Sequence, residues 1–264
     1  PSGWAGRRIA LQARYLNSYA VVHVDGKKAG EMRFPTGEVD LTTVCTPGKT
    51  HVLSLYVAAM PLKAVMLSFS DTARSKPARG AVERRGLCGD VDLVSTPRSA
   101  RLGDVRVVTS VRKGGIAFTA ALQDLDAAAH YSLQAEVRDP DRTVATFQSR
   151  PFSAGELKDG QFTFSETWKP DTLWDIHTPQ NQYQVSLTLR DAGGQALDIG
   201  LPRSFGFREF WIDGRDFYLN GTRIFLSALP LDNAQVGAAW ATYDGARESL
   251  RRLKSIGINF VYTH

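Results

Sequence analysis

The class of fold is indicated most clearly by residues 205–234, FGFREFWIDGRDFYLNGTRIFLSALPLDNA, and by residues 242–264, TYDGARESLRRLKSIGINFVYTH. The dipeptides Asp213-Gly214 and Asn220-Gly221 are typical of tight hairpin turns, because these residue types tolerate the backbone conformations that such turns require. They separate segments rich in apolar and aromatic residues. Residues 205–234 are therefore predicted to form consecutive strands joined by short turns.

Residues 242–264 carry the pattern of one amphipathic helix followed by a strand. Four apolar residues recur at helical spacing and share one face: Ala246, Leu250, Leu253 and Ile256. Gly257 comes directly after them, which predicts the end of the helix. Strand, helix and strand in this order predict a parallel crossover unit. Because parallel strands are normally covered on both faces, we expect either a longer protein or a partner to complete this unit, and we favour the longer protein.

The composition limits the classes of protein that need to be considered. With 264 residues and 43% apolar content, the chain can hold two sandwich-sized domains and a tail. No apolar run approaches the ~20 residues that span a bilayer, so we expect no membrane partner. The net charge is +5, and the basic residues of segment 74–85 lack interleaved aromatic residues. We therefore interpret that segment as a solvated loop and expect no nucleic-acid partner.

The order of strand and turn patterns predicts a mainly β fold with three parts. Residues 1–98 read as short strands of a sandwich or jelly roll, and residues 99–207 as an immunoglobulin-like sandwich. Residues 208–264 hold the strand-helix-strand unit. Cys45 and Cys88 leave three states open: a disulfide, two buried thiols, or one of each kind. Neither cysteine has a histidine at metal-ligand spacing, so we expect no zinc site. The sequence also lacks the glycine-rich nucleotide-binding motifs and the H-E-x-x-H motif, so we expect no cofactor.

Several stretches in this order resemble glycoside hydrolase family 2, which includes β-galactosidases, β-glucuronidases and β-mannosidases. Residues 21–57 are similar to the family's sugar-binding jelly roll, and GLCGDVDLVSTP to its closing strand. WKPDTLWDIHTPQNQYQVSLTL and FGFREFWIDGRDFYLNGTRIFLSA look like the approach to its catalytic TIM barrel. GINFVYTH resembles the second barrel strand, where the family usually carries Asn-x-Val-Arg before a histidine. The resemblance implies a jelly roll, an immunoglobulin-like sandwich and the first β-α-β segment of an incomplete (β/α)8 barrel.

The resemblance also implies a function for the parent protein, that of a retaining glycosidase acting on β-glycosides. This chemistry needs two carboxylates about 5 Å apart, and in the family both are glutamates on later barrel strands. Since those strands lie outside this sequence, we predict no catalytic residue here and an inactive chain; Glu209 and Glu248 are interpreted as solvated surface carboxylates. The implied partners are a carbohydrate substrate, the remainder of the barrel and, for some assemblies, a second copy of the chain. The enzyme class favours a periplasmic or extracellular location over the cytoplasm.

Five residues are predicted to contact substrate, because loops after barrel strands face the active-site mouth. They are Asp232, Asn233, Trp240, Tyr262 and His264. Tyr262 stands where the family usually has arginine. For His264 the alternative is a hydrogen-bonded residue of the barrel core. For Asp232 and Asn233 the alternative is an ordinary loop or capping residue. The other tryptophans, Trp4, Trp168, Trp174 and Trp211, are expected to pack in cores or at interfaces rather than stack on sugars.

The sequence also allows a different class of function, that of a binding protein. A stand-alone carbohydrate-binding or adhesive protein could consist of two sandwiches and a tail that only resembles the start of a barrel. The amphipathic helix between two apolar strands argues against it, since a self-sufficient binding module has no need of an unfinished parallel unit.

Overall fold

The computed structural model of the chain describes residues 1–59, 65–69, 75–79, 86–140, 142–231 and 242–262. Within these ranges the fold is mainly β, as the sequence predicts. Two compact units are formed, Pro1–Thr96 and Pro97–His264. The division into three domains at 98/99 and 207/208 stays a prediction.

The first unit consists of antiparallel sheets. Its strands are β1 (Arg8–Ala13), β2 (Leu16–Asn17), β3 (Tyr19–Val24), β4 (Lys27–Arg33), β5 (Gly37–Asp40), β6 (Leu53–Ala58), β7 (Val65–Phe69), β8 (Ser75–Arg79), β9 (Gly86–Leu87) and β10 (Val91–Thr96). Two three-stranded sheets, β10-β1-β5 and β4-β3-β6, supply its core, and two-stranded pairs β2-β9 and β7-β8 accompany them. Strand β8 lies inside segment 74–85, so the predicted loop is wrong for that part; the rest of the segment lies outside the described residues.

Alternation of apolar and polar residues explains the first sandwich. Ala20, Val22 and Val24 are buried on one face of β3, while Tyr19, Val21 and His23 between them are partly exposed. Ile9 and Leu11 of β1 belong to the same buried cluster. A strand whose side chains alternate in this way packs one face and leaves the other towards water, which confirms the antiparallel sandwich predicted for this block.

The second unit holds a larger sandwich. Its strands are β11 (Arg101–Ser110), β12 (Gly115–Gln123), β13 (His130–Asp139), β14 (Arg142–Gln148), β15 (Phe152–Ser153), β16 (Gln161–Thr167), β17 (Tyr183–Asp191), β18 (Ala196–Ile199) and β19 (Arg203–Phe205). One sheet has the order β11-β12-β16, and the other β14-β13-β17-β18 with β15 beside β13 and β19 beside β17. Aromatic side chains fill the core: Phe118 lies 5.1 Å from Phe164, and Phe152 stacks 3.9 Å from Phe162, between ring centroids.

The tail of the second unit confirms the predicted order of elements. Strands β20 (Phe210–Asp213), β21 (Asp216–Leu219) and β22 (Thr222–Ile224) form an antiparallel meander. Asn220 and Gly221 both have positive φ angles, 52° and 93°, in the two-residue turn between β21 and β22. Strand β23 (Ala228–Pro230), helix α1 (Tyr243–Ser255) and strand β24 (Phe260–Tyr262) follow, and β23 pairs with β24 in parallel.

Helix α1 ends where its sequence predicts, and a threonine side chain caps its start. Thr242 caps its start, since its Oγ1 accepts the Gly245 N–H at 3.0 Å. Gly257 lies just beyond its end with a φ of 87°, a conformation that favours glycine. The helix is largely uncovered: Leu250 is 45% exposed and Ile256 is 74% exposed. In the described parts of the chain, no helix has the length and apolar character needed to cross a bilayer.

Candidate functional site

The carboxyl ends of β23 and β24 lie side by side. The register pairs Ala228 with Phe260, Leu229 with Val261 and Pro230 with Tyr262. The Leu231 N–H donates a 2.8 Å hydrogen bond to the Tyr262 carbonyl, so the ladder continues to the very end of both strands. Leu231 and Tyr262, the described residues that precede the predicted substrate residues in the sequence, therefore lie at one edge of the parallel pair, the strand edge.

Asn259 holds the two strands in this register. Its Oδ1 accepts the Ser227 N–H at 2.9 Å, and its Nδ2 donates to the Phe225 carbonyl at 2.8 Å. One planar amide thus satisfies an acceptor and a donor of the segment that enters β23, whereas an ionised carboxylate could only accept. Asn259 is the asparagine of the Asn-Phe-Val-Tyr step, and local sequence patterns indicate no role for it.

A second polar cluster joins the meander to the sandwich through Glu209. Its Oε1 accepts the Arg112 Nε and Nη2 at 2.8 and 2.6 Å, and its Oε2 accepts the Arg112 backbone N–H at 2.8 Å and the Ser110 hydroxyl at 3.1 Å. Burial alone would raise the pKa of this carboxyl, but the hydrogen bonds from Arg112 and Ser110 outweigh it and lower the pKa to about 2. The Glu209 side chain is only 13% exposed. Its interpretation as a solvated surface carboxylate is therefore wrong. The sequence does not reveal these hydrogen bonds, because Ser110 and Arg112 lie nearly one hundred residues earlier in the chain.

Asn220 and Trp174 extend this cluster. The Asn220 Oδ1 accepts the Glu209 N–H at 2.9 Å, and its Nδ2 donates to the Trp174 carbonyl at 2.8 Å. The Arg208 guanidinium lies 4.3 Å from the Trp174 ring centroid, and Gly206 faces the same side chain. The Asn220 side chain therefore has a structural role at the turn.

The tryptophans in the described ranges take packing positions, as predicted. Trp168 contacts the core rings of Tyr183 and Phe207 at centroid distances of 5.2 and 5.4 Å. Trp211 is sandwiched between the Arg112 guanidinium, 4.2 Å from its centroid, and the Tyr218 ring at 5.4 Å. Trp4 packs against the core of the first unit.

A groove of about 390 Å³ lies between loop 174–179 and the uncovered side of the β-α-β unit. Its apolar lining includes Trp174, Ile176, Pro179, Leu250, Leu253 and Phe260. The Lys254 Nζ donates to the Ile176 carbonyl at 3.2 Å and so ties α1 to this loop. An apolar lining with one such tie is typical of a packing interface rather than of a sugar site, which needs several converging polar groups.

The first unit carries a smaller pocket of about 210 Å³, lined by residues that include Trp4, Leu41, Cys45 and His51. At its rim the His51 Nδ1 lies 2.6 Å from the Asp25 carboxylate, and its Nε2 accepts the Thr46 N–H at 2.9 Å. The hydrogen bond to Asp25 raises the pKa of His51. Cys45 and Cys88 are both free thiols, so the disulfide left open by the sequence is absent.

Of the five predicted substrate residues, the structure describes Tyr262. It occupies the last position of β24, directly at the strand edge, and is 42% exposed. Asp232, Asn233, Trp240 and His264 lie outside the described residues. The described ranges contain no group of three or more His, Cys, Asp or Glu side chains arranged to hold a metal ion.

The chain shares its fold with large carbohydrate-active enzymes, although no family model and no curated protein sequence matches it. A glycosyl hydrolase family 2 member from Bacteroides cellulosilyticus aligns over 99% of this chain with a TM-score of 0.69 and 18% identity. Bacteroides uniformis β-glucuronidase 2, solved covalently bound to cyclophellitol-6-carboxylate aziridine, aligns over 99% with a TM-score of 0.64 and 22% identity. A β-glucuronidase from Ruminococcus gnavus, solved in complex with D-glucuronic acid, aligns over 98% with a TM-score of 0.67 and 16% identity.

These alignments use almost all of this chain but a minority of each enzyme. The chain covers 33%, 32% and 44% of the three structures. Two sandwiches followed by a meander and a parallel β-α-β unit are thus found together, in one chain, in enzymes of this group. The resemblance noted in the sequence is confirmed at the level of structure: the chain has the fold of the N-terminal part of glycoside hydrolase family 2 enzymes.

Proposed function

We propose that this chain is the N-terminal part of a family 2 glycoside hydrolase that cleaves β-glycosides with retention of configuration. The observation that carries the proposal is that 98–99% of the chain aligns with a family 2 glycosyl hydrolase and with two β-glucuronidases. The chain itself braces the catalytic barrel and shapes one side of its mouth. Since both catalytic glutamates are expected on later strands, the chain alone is proposed to be inactive.

The uncovered apolar faces of the tail support the remainder of the barrel as the main partner. Phe225 is 85% exposed, Ile256 74% and Phe260 43%, and all three belong to the β-α-β unit or its entry. Exposed apolar side chains gathered in this way are costly in water and mark a surface that another element covers. Later strands and helices of a barrel would cover both sides of β23 and β24. A stand-alone binding protein gives no reason for this surface.

Substrate contact is proposed at the strand edge. Tyr262 ends β24, and Asp232 and Asn233 follow Leu231 after the end of β23. His264 is two residues beyond Tyr262, and Trp240 belongs to the segment between β23 and α1. In barrel enzymes this edge faces the substrate, where hydroxyl-binding amide, carboxylate and imidazole groups are needed. We further propose export to the periplasm or outside the cell, with the cytoplasm as the alternative.

Activity of the complete protein tests the proposal directly. A longer protein containing this sequence should hydrolyse one member of a panel of 4-nitrophenyl β-D-glycosides, including galactoside, glucuronide and mannoside. Proton NMR of the first product formed should show the β-anomer, because a retaining enzyme passes through a covalent intermediate. The 264-residue chain serves as the control and should be inactive. A longer protein that cleaves no glycoside, or gives the inverted product, would refute the assignment.

The proposal that later barrel elements cover the exposed apolar face is tested by placing a charge on that face. Ile256→Glu should leave the unfolding temperature of the 264-residue chain nearly unchanged, since that side chain is 74% exposed there. In the longer protein the same change should bury a charge and cause a loss of folded yield or a marked fall in Tm. Arg251→Glu, on the polar side of α1, is the matched control and should be tolerated in both. Equal tolerance of Ile256→Glu in the longer protein would argue against a barrel cover.

A further inference from the structure

The meander is too small to hold its own position. Its strands have only four, four and three residues. A sheet of this size buries little apolar surface, so its orientation depends on what it is attached to. The strongest attachment is the Glu209 cluster described above, in which one carboxylate receives four hydrogen bonds from the sandwich.

The Glu209 cluster holds the meander at two places, directly before its first strand and at its second turn. Glu209 directly precedes Phe210, the first residue of β20. The Asn220 N–H donates to the Glu209 carbonyl at 2.9 Å, and the Glu209 N–H donates to the Asn220 Oδ1 at 2.9 Å. Thr109 adds a pair of bonds to the backbone of Arg208 at 2.5 and 3.2 Å. The start of β20 and the end of β21 are therefore both fixed to the sandwich.

The Asn259 amide holds the segment that follows the meander. Strand β22 ends at Ile224, and Asn259 binds the carbonyl of the next residue, Phe225, and the N–H of Ser227. Strand β23 begins at Ala228. Thus the chain passes from Glu209, through the three strands of the meander and their turns, to a second side-chain clamp at the entry of the parallel pair.

We infer that Glu209 and Asn259 are positioning residues, which together fix the strand edge of β23 and β24 relative to the second sandwich. Neither side chain reaches the end of the strands, so each acts through the backbone. Glu209 sets where the meander sits, and Asn259 sets where β23 and β24 sit on the meander. The inference rests on the proposed function only in calling this edge a substrate site.

Hydrogen exchange of the 264-residue chain tests the inference without any enzymatic assay. The reporter is peptide 225–231, which contains the Leu231 amide bonded to Tyr262. Glu209→Gln and Asn259→Ala should each raise the exchange rate in this peptide about tenfold, because each removes hydrogen bonds that stabilise the segment against local unfolding. Asn259→Asp keeps the acceptor for the Ser227 N–H and should give an intermediate rate. Peptides of β12 and β13 should exchange as in the wild type.

Matched controls separate positioning from a general loss of stability. Glu248→Gln removes a carboxylate that pairs with Arg252 on α1, and Gln182→Ala removes an amide that donates to the Pro179 carbonyl. Both should leave peptide 225–231 unchanged. Arg112→Lys removes the guanidinium that binds Glu209 from the sandwich side, and it should raise exchange in the same peptide as Glu209→Gln. It replaces Glu209→Gln as the test if Glu209→Gln folds poorly. In the wild type the protection of the meander should persist from pH 7 to pH 4, after correction for the intrinsic exchange rate.

Two results would overturn the inference. One is unchanged exchange of peptide 225–231 in Glu209→Gln, even if the meander itself exchanges faster, because the clamps would then be independent. The other is equal acceleration in β12 and β13, because the variants would then act on the whole unit. A longer protein without glycosidase activity would refute the proposed function and leave this result untouched.

Discussion

Replacing Glu209 by glutamine should destabilise the second unit in a strongly pH-dependent way. The carboxylate accepts four hydrogen bonds, and glutamine keeps one acceptor oxygen while turning an NH₂ group towards the Arg112 guanidinium. The pKa falls from 4.5 to about 2. At ~1.4 kcal/mol per pH unit this gives an upper bound of about 3.5 kcal/mol, and partial access of water and salt reduces the expected loss at pH 7 to about 2 kcal/mol.

The sign of the pH dependence follows from the lowered pKa. Glu209 binds a proton more weakly in the folded chain than in the unfolded chain, so its stabilisation is complete above pH 5 and is lost as the pH falls from 4.5 towards 2. The difference in free energy of unfolding between wild type and Glu209→Gln should therefore be largest at pH 7. At pH 3 less than half of it should remain.

Urea unfolding followed by tryptophan fluorescence measures this difference, because Trp168, Trp174 and Trp211 all report on the second unit. With an m-value of about 2 kcal/mol per molar urea, the midpoint should shift by about 1 M at pH 7. Glu248→Gln is the control and should cost at most about 0.5 kcal/mol, since it removes an exposed pair within one helix. A difference below about 0.5 kcal/mol at pH 7, or one that is equal at pH 7 and pH 3, would show that the Glu209 carboxylate does not stabilise the second unit in this way.

Three further changes probe other parts of the fold. Phe118→Ala should lower the free energy of unfolding of the second unit by about 3–5 kcal/mol, because this core ring is fully buried, and a calorimetric Tm shift measures it. Gly206→Ala should cost about 2 kcal/mol in the same assay, since its new Cβ would lie 2.5 Å from Trp174, whereas a loss below about 0.5 kcal/mol would mean that the ring can move aside. Asp25→Asn should lower the pKa of His51 in an NMR titration; while Asp25 is ionised, the stabilisation by this pair is full below pH 6.5 and fades as the pH rises through the raised pKa, so the wild-type advantage should shrink at high pH.

Local patterns were sufficient for the elements of the tail. The Asn220-Gly221 turn, the end of the helix at Gly257 and the parallel pairing all follow from residue types within a few positions of one another. Such features depend on backbone conformation and on periodic burial, which a sequence displays directly. The same holds for the two sandwiches, whose strands alternate apolar and polar residues.

The residues that organise the site could not be found in this way. Glu209 looks like a hairpin acid, but its partners Ser110 and Arg112 belong to a strand end and turn nearly one hundred residues away. Asn259 has a faint signal, because a polar amide directly before a short apolar strand needs a partner, yet the sequence does not show that Phe225 and Ser227 provide it. Long-range polar pairing depends on the assembled fold, and only the fold brings these groups within hydrogen-bond distance.

The tail combines two properties that make sense together in one kind of protein. Its backbone is held firmly by Glu209 and Asn259, while apolar side chains such as Phe225 and Ile256 remain exposed. A tail that served only as a spacer would need no such clamps, and an independent domain would bury those side chains against its own core. A rigidly placed but uncovered parallel pair is what the first unit of a closed barrel requires, since every later strand takes its register from the pair already formed. The clamps and the exposed faces therefore support the same proposal from independent observations.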